Sequence, residues 1–143
     1  IVASYIAFGS ELAPAPLVEA LCTQGQAIVL PAVTGKNEPL LFRRFAPGDR
    51  LATSAFGVAE PPPSAPALEP DVLLVPFLAF DKQLYRLGYG GGFYDRTLAH
   101  LRTRKAILAV GIGFAAQEVP EVPRGAADAR LDKIITEIQI FSG

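Results

Sequence analysis

The chain has 143 residues, 13 Lys and Arg against 14 Asp and Glu, a net charge of −1 and a pI near 5.8, with half of its residues hydrophobic and 19% charged. That composition is globular and excludes disorder over the bulk of the chain, and a single domain of this length buries about 68–70% of its extended surface. The near-neutral charge excludes the cationic field of a nucleic-acid or membrane-surface binder; the one cysteine excludes an internal disulfide and a cysteine-based zinc site, which points to a reducing, cytoplasmic compartment.

The first element, Ile1–Phe8, is rich in β-branched and aromatic residues and ends at Gly9, the pattern of a buried strand. Residue 1 is not Met and a buried strand seldom opens a chain, so a preceding segment is expected. Pro14 and Pro16 mark a helix start. Leu17, Val18, Leu21 and Cys22 recur at helical spacing up to Gly25, which places Cys22 in the core. Ala27–Val33 reads as a second strand closed by the turn Thr34-Gly35-Lys36-Asn37, and Leu40–Phe45 with Leu51 as a short antiparallel addition. Five prolines in Glu60–Pro70 forbid a helix or a central strand, so this stretch is an extended surface connection within one domain. Asp71–Val75 is a compact buried strand, Phe77–Gly92 a long irregular stretch, Phe93–Arg104 a helix carrying Tyr94, Leu98 and Leu101, Ala106–Ile112 a strand and Lys133–Thr136 a last short one. Strands alternating with helices predict one α/β domain over residues 1–143: a layered, mostly parallel Rossmann-like sheet with helices on both faces and a short antiparallel addition.

In such sheets ligands collect beyond the carboxyl ends of the strands. Phe77–Gly92 occupies such a place and holds Gly88, Gly90, Gly91 and Gly92 directly before a helix. Glycines let backbone approach a ligand, and a helix start offers unpaired N–H groups and partial positive charge, so the pair makes an anion cradle suited to phosphate. The loop is not a Walker A motif, since no Lys-Ser/Thr follows, and not a Rossmann fingerprint, since Phe93 stands where the third glycine belongs. Arg86 presents a guanidinium fork to phosphate oxygens. Asp95, in the first helical turn, would repel a polyphosphate unless a hard divalent cation bridges them, and Mg²⁺ binds through one or two carboxylates plus phosphate oxygens. Cradle, arginine and acid therefore point to a Mg–nucleotide site. The second acid is Asp128 or Asp132, and spacing does not choose between them. Asp81 is placed to pin the loop through backbone hydrogen bonds. His100, on an exposed helical face near Arg102 and Arg104, reads as inert, and no nucleophile–base pair is visible. Tyr85, Tyr89, Phe93 and Tyr94 crowd the cradle with rings that could stack a flat heterocycle.

The strings Asp71-Val72-Leu73-Leu74-Val75-Pro76-Phe77-Leu78-Ala79-Phe80-Asp81 and Arg86-Leu87-Gly88-Tyr89-Gly90-Gly91-Gly92-Phe93-Tyr94-Asp95-Arg96 resemble the signature of the 5-formyltetrahydrofolate cyclo-ligases, also called methenyltetrahydrofolate synthetases. Looser similarity runs through Ser10-Glu11-Leu12, Leu30-Pro31, Phe42-Arg43, Glu60-Pro61, Gln117 and Ile134-Ile135-Thr136-Glu137. The resemblance implies a cytoplasmic, monomeric ligase that uses ATP and Mg²⁺ to convert 5-formyltetrahydrofolate, with or without a polyglutamate tail, to 5,10-methenyltetrahydrofolate, ADP and phosphate. It implies that Arg86, Leu87, Gly88, Tyr89, Gly90, Gly91, Gly92, Phe93 and Tyr94 hold ATP, with Arg86 and Asp95 catalytic. It further implies that Ile6, Glu11, Tyr89, Gly90, Gly91, Gly92 and Phe93 border the folate, and that Asp95 and Asp128 bind the metal. Phe93 replaces the more usual tyrosine of the Tyr-Tyr-Asp string, Ala127 stands where bacterial relatives often carry His, and the family's early helix with its Lys and Arg pair is expected to precede residue 1. The alternative is a non-catalytic nucleotide- or folate-binding protein on the same scaffold.

Overall fold

The computed structural model describes residues 1–9, 11–54 and 57–143; Ser10, part of the family-like string after the first strand, lies outside them. The first half runs β1 (Val2–Ala3), α1 (Ala15–Thr23), β2 (Ile28–Ala32), β3 (Leu41–Phe45), β4 (Ala52–Thr53) and β5 (Ala59–Glu60). The second runs β6 (Val72–Val75), β7 (Ala79–Phe80), β8 (Arg86–Leu87), α2 (Phe93–Arg104), β9 (Leu108–Ile112), β10 (Lys133–Ile135) and β11 (Ile140–Ser142). Seven strands form one sheet in the order β11-β10-β9-β6-β1-β2-β3. The five inner strands are parallel, with Val2 opposite both Ile28 and Val72 and Leu74 opposite Val110, while β3 and β11 pair antiparallel at the two edges.

The crossover through α1 leaves β1 toward β2, and the crossover through α2 leaves β6 toward β9, in the opposite direction. Right-handed connections that diverge in this way put their helices on opposite faces. The core divides accordingly. Leu73 and Val75 of β6 pack with Leu98 and Leu101 of α2, whereas Leu74, between them in sequence, packs with Val18 of α1. The layered parallel sheet with a helix on each face and the antiparallel strand after β2 are thus present as expected. Cys22 is partly buried against the α1-side core. Among the described residues no helix is long and apolar enough to cross a membrane.

Three elements differ from expectation. The first strand is Val2–Ala3 rather than Ile1–Phe8, because the chain runs past the end of the sheet, where Ile6 and Phe8 are exposed. The stretch over residues 77–92 is not irregular throughout: Ala79 pairs with Leu87 and Phe80 with Arg86 in a small hairpin. The edge strand β11 has Phe141 as its one buried residue, too little period for a sequence to reveal. The proline-rich segment forms no helix or central strand, as expected, but it is not extended throughout: Glu60 pairs with Ala52, and Ala65 N–H closes a turn on the Pro62 carbonyl. The rest lies along β3, where Arg43 Nη1 donates to the carbonyls of Pro63 and Ala65, and Leu68 N–H to that of Phe42.

Phe77, fully buried just after β6, shapes the neighbouring strand. A Cβ on Gly111 would stand 2.8 Å from Leu131 Cδ1 and 3.1 Å from Phe77 Cε2, and one on Gly113 would fall against the Phe77 ring. Gly113→Ala should therefore cost about 1–3 kcal/mol by overpacking. Urea unfolding of the variant checks this as a lowered midpoint with an unchanged slope.

Candidate nucleotide and folate site

β1 and β6 lie side by side, and the chain leaves their carboxyl ends in opposite directions; this is the topological switch point where open α/β sheets bind ligands. Residues 4–9, 11–14 and 76–92 emerge there. The second of these is held by Asp81, buried to 1% exposure. Its Oδ1 accepts from the N–H groups of Gln83 (2.9 Å) and Tyr85 (3.3 Å), which pins the hairpin as expected. Its Oδ2 accepts from Val122 N–H (2.9 Å) and Arg124 Nη2 (2.8 Å), which ties the hairpin to a segment 41 to 43 residues further on. Burial pushes the Asp81 carboxyl up, but the donors from Val122, Tyr85 and Gln83 and the Arg124 charge outweigh it and hold the group below its ordinary value. Arg124 also lies over the Tyr85 ring, 3.9 Å from its centroid.

The hairpin delivers Arg86 to the glycine run. A cavity of about 290 Å³ is lined by every residue from Arg86 to Asp95, together with Pro76, Pro123 and Asp128. Arg86 Nη1 donates to the Pro76 carbonyl at 3.3 Å, its guanidinium stands 5.2 Å from the Tyr94 ring centroid, and its Nε is buried without a partner. Burial lowers the Arg86 pKa, with the charges of Asp95, Tyr94, Asp128 and Glu11 opposing. The Arg86 head group packs on Gly88, where a Cβ would lie 2.6 Å from Nη1 and displace it, and Gly92, at φ +71°, opens α2 in the left-handed region. Among the described residues no side-chain oxygen caps α2, whose first-turn N–H groups are thus left to the cavity.

The two acids converge here. Asp95 Oδ1 accepts from Ala129 N–H at 3.0 Å and Asp128 Oδ2 from Gly125 N–H at 2.8 Å, so each uses one oxygen on backbone. Asp132, the other candidate second acid, is elsewhere: its Oδ2 accepts from Ala109 N–H (2.7 Å) and Arg102 (3.4 Å). Among the described residues no group of three or more His, Cys, Asp or Glu side chains could hold a metal. Two carboxylates on a phosphate cradle do suit a hard cation whose remaining ligands are phosphate and water oxygens.

A second cavity, also about 290 Å³, is lined by Glu11, Phe77, Leu78, Tyr89, Phe114, Ala116 and Gln117. Tyr89 lines both, so the two cavities adjoin at that ring. Glu11 Oε1 accepts from Phe8 N–H at 2.7 Å. Burial raises the Glu11 carboxyl, against the Phe8 N–H, the Arg86 charge and a hydrogen bond with the Tyr89 side chain. Phe8 (70% exposed) meets Tyr89 (57% exposed) edge-on at 5.7 Å, giving an aromatic rim open to a flat ring. Gln117 forms the floor: its Nε2 donates to the carbonyls of Phe77 and Leu78, and its Oε1 accepts from Phe114 N–H. Ile6 is not in this cavity. It lines an apolar one of about 410 Å³ between α1 and the β2–β3 edge, beside Tyr5, Val18 and Phe45. His100 lines neither cavity of the switch point. Sequence reasoning gave no role to Pro123, Arg124, Phe114 or Gln117, which take their places through contacts distant in sequence.

A parallel α/β sheet with a glycine-lined anion cradle, a guanidinium and paired carboxylates at its switch point defines the phosphate- and nucleotide-binding class of α/β proteins. Within that class, the chain belongs to the 5-formyltetrahydrofolate cyclo-ligase family, whose sequence profile matches residues 1–137. It is 34% identical to the 5-formyltetrahydrofolate cyclo-ligase of Haemophilus influenzae over 94% of this chain and 74% of that protein, and 38% identical to that of Mycolicibacterium smegmatis over 88% and 69%. The solved 5,10-methenyltetrahydrofolate synthetase of Aquifex aeolicus superposes with a TM-score of 0.78 at 32% identity, covering 99% of this chain and 70% of that one.

The raised Glu11 pKa has a stability consequence. A carboxyl whose folded pKa lies above its unfolded one costs stability once pH exceeds the folded value, and costs nothing below the unfolded value. Glu11→Gln keeps an acceptor for Phe8 N–H and removes the charge. The variant should melt higher than wild type at neutral pH and at the same temperature well below the carboxylate range, as scanning calorimetry at the two pH values would measure.

Proposed function

We propose that the protein catalyses the ATP- and Mg²⁺-dependent cyclisation of 5-formyltetrahydrofolate to 5,10-methenyltetrahydrofolate, with release of ADP and phosphate. The observation that carries the reading is the meeting of Arg86, Asp95 and Asp128 on a glycine-lined cavity whose wall, Tyr89, is shared with the Glu11 cavity. Family membership and relatives named for this activity support it. Arg86 to Tyr94 hold the triphosphate, while Asp95 and Asp128 hold Mg²⁺, which supplies charge neutralisation to the transferring phosphoryl group. Glu11 accepts hydrogen bonds from ring and amino N–H groups of the pterin, and the Phe8–Tyr89 rim stacks its plane.

In this reaction the formyl oxygen attacks the γ-phosphorus, the bond to the β,γ-bridging oxygen breaks, and ADP leaves. N10 then attacks the activated formyl carbon, its proton is lost, and the carbon–oxygen bond breaks to release phosphate as the five-membered ring closes. A loose phosphoryl-transfer transition state needs positioning and charge neutralisation more than a covalent residue, which accords with a site built of a guanidinium, carboxylates and backbone. The reading carries with it a cytoplasmic location, where ATP and reduced folates are held, and a monomer whose two cavities come from one chain.

Appearance of the methenyl chromophore on mixing protein, MgATP and 5-formyltetrahydrofolate tests the reading directly. Binding of both ligands without the chromophore would favour the non-catalytic alternative. Asp95→Asn should abolish Mg²⁺-dependent turnover and leave the thermal midpoint nearly unchanged, because it keeps an acceptor for Ala129 N–H and the helix-dipole contribution it loses is only ~0.3–1 kcal/mol. Arg86→Lys keeps the charge and loses the fork; steady-state kinetics should give a raised KM for ATP or a lowered kcat, and unchanged values would remove Arg86 from the phosphate site.

A further inference from the structure

Two guanidiniums flank the glycine run, and the mechanism above uses one of them. Arg96 lies one turn inside α2, and helical side chains lean back toward the N-terminus, so its head group returns to the start of the helix. A Cβ on Gly92 would stand 2.7 Å from Arg96 Nη1. The guanidinium sits 5.0 Å from the centroid of the Phe93 ring, and both Gly92 and Phe93 line the phosphate cavity. Nη2 donates to the Lys36 carbonyl at 2.8 Å, in the turn after β2. Nε is buried and has no partner.

Arg86 is the counterpart before the run in sequence: its Nη1 packs on Gly88, its Cζ lies over the ring of Tyr94, and its Nε is likewise buried and unpaired. Among the described residues these two Nε atoms are the buried side-chain nitrogens or oxygens without a hydrogen-bond partner, and neither arginine is in an ion pair. The contrast along α2 is informative. Arg102 and Arg104, at the end where a cation is favoured by the helix dipole, pair with Asp132 and Glu69. Arg96, at the end where a cation is disfavoured, has no carboxylate. Half-buried Arg96 thus keeps one unmet donor and a charge that no carboxylate balances, and an anion at the start of α2 would complete both.

We propose that Arg96 is a second phosphate-binding cation of the nucleotide site, placing its charge against the polyphosphate at the Gly92–Phe93 wall; this rests on the nucleotide reading above. Asp95 and Asp128 add negative charge to a site that receives a polyanion, so a metal ion and Arg86 alone leave it acidic. Arg96 offsets that excess from the Gly92–Phe93 wall. The chemistry recognised is that of a nucleoside triphosphate: Arg96 lines neither cavity directly, but it stands against Gly92 and Phe93 of the glycine-lined wall and touches no residue that lines the Glu11 cavity alone.

Calorimetric titration of wild type, Arg96→Gln and Arg96→Lys with MgATP, and separately with 5-formyltetrahydrofolate, decides it. Both variants keep a donor for the Lys36 carbonyl, and only lysine keeps the charge. Arg96→Gln should weaken MgATP binding about tenfold or more and make it less sensitive to salt, while Arg96→Lys stays closer to wild type and folate affinity is unchanged in both. Equal MgATP affinity in wild type and Arg96→Gln would overturn the inference and leave Arg96 as a tie between α2 and the 34–37 turn. Equal losses in both variants that follow their thermal midpoints would overturn it as well. A wild-type protein that does not bind MgATP would overturn the nucleotide reading itself, a result distinct from either.

Discussion

The site depends on one buried carboxylate. Asp81 accepts two hydrogen bonds from its own hairpin and two from residues 122–124, so a single side chain sets both the position of Arg86 and the approach of the segment that leads to Asp128. Burying a charge without partners would cost several kcal/mol, and hydrogen bonds to a charged group return about 1.5–3 kcal/mol each. Four of them win, and the direction of the Asp81 pKa agrees. The same turn holds Leu84 at φ +72°, a conformation that costs a residue with a side chain about 1–2 kcal/mol. Leu84 is fully buried in the α2-side core, worth about 1.5–3 kcal/mol, and its carbonyl accepts from Leu131 N–H, so burial offsets the strain.

Around that anchor the site separates two kinds of recognition. The glycine cavity is backbone, guanidinium and carboxylate, suited to a polyanion and its cation; the Glu11 cavity is aromatic and aliphatic with one raised carboxyl and a glutamine floor, suited to a flat polar heterocycle. Tyr89 belongs to both. The formyl group to be activated and the phosphoryl group that activates it belong to different molecules, and a shared wall brings such a pair together without a covalent link to the protein.

Much of this was legible in the residues. Four glycines ahead of a helix with Tyr94, Leu98 and Leu101 at helical spacing located α2 from Phe93 to Arg104 and the cradle before it. The apolar run of β6, ending at Pro76, located the strand that feeds the cradle. Other parts depend on contacts that spacing does not encode. Asp128 and Asp132 look alike in sequence, yet one faces the cradle while the other binds Ala109 N–H at the start of β9. Hydrophobicity alone overextended the first strand, because Ile6 and Phe8 are apolar and exposed. Gln117 gains meaning from the Phe77 and Leu78 carbonyls, and Arg96 from the Lys36 carbonyl, partners that lie far away along the chain.

The place of β1 between β2 and β6 has a consequence for how the site comes into being. Its neighbour on one side is reached through a short helical crossover, but on the other side Val2 pairs with Val72, across half of the chain. Closing so long a loop is entropically slow, and contacts of this separation form late in folding. Glu11 follows β1 and the glycine run follows β6, so neither early hairpins nor either half of the chain can present the two cavities together. Ligand capture is therefore linked to the global folding equilibrium: nucleotide and folate, bound across that junction, would resist whole-domain unfolding by an amount that grows with the logarithm of their free concentration above Kd, and the unfolded ensemble would compete for neither.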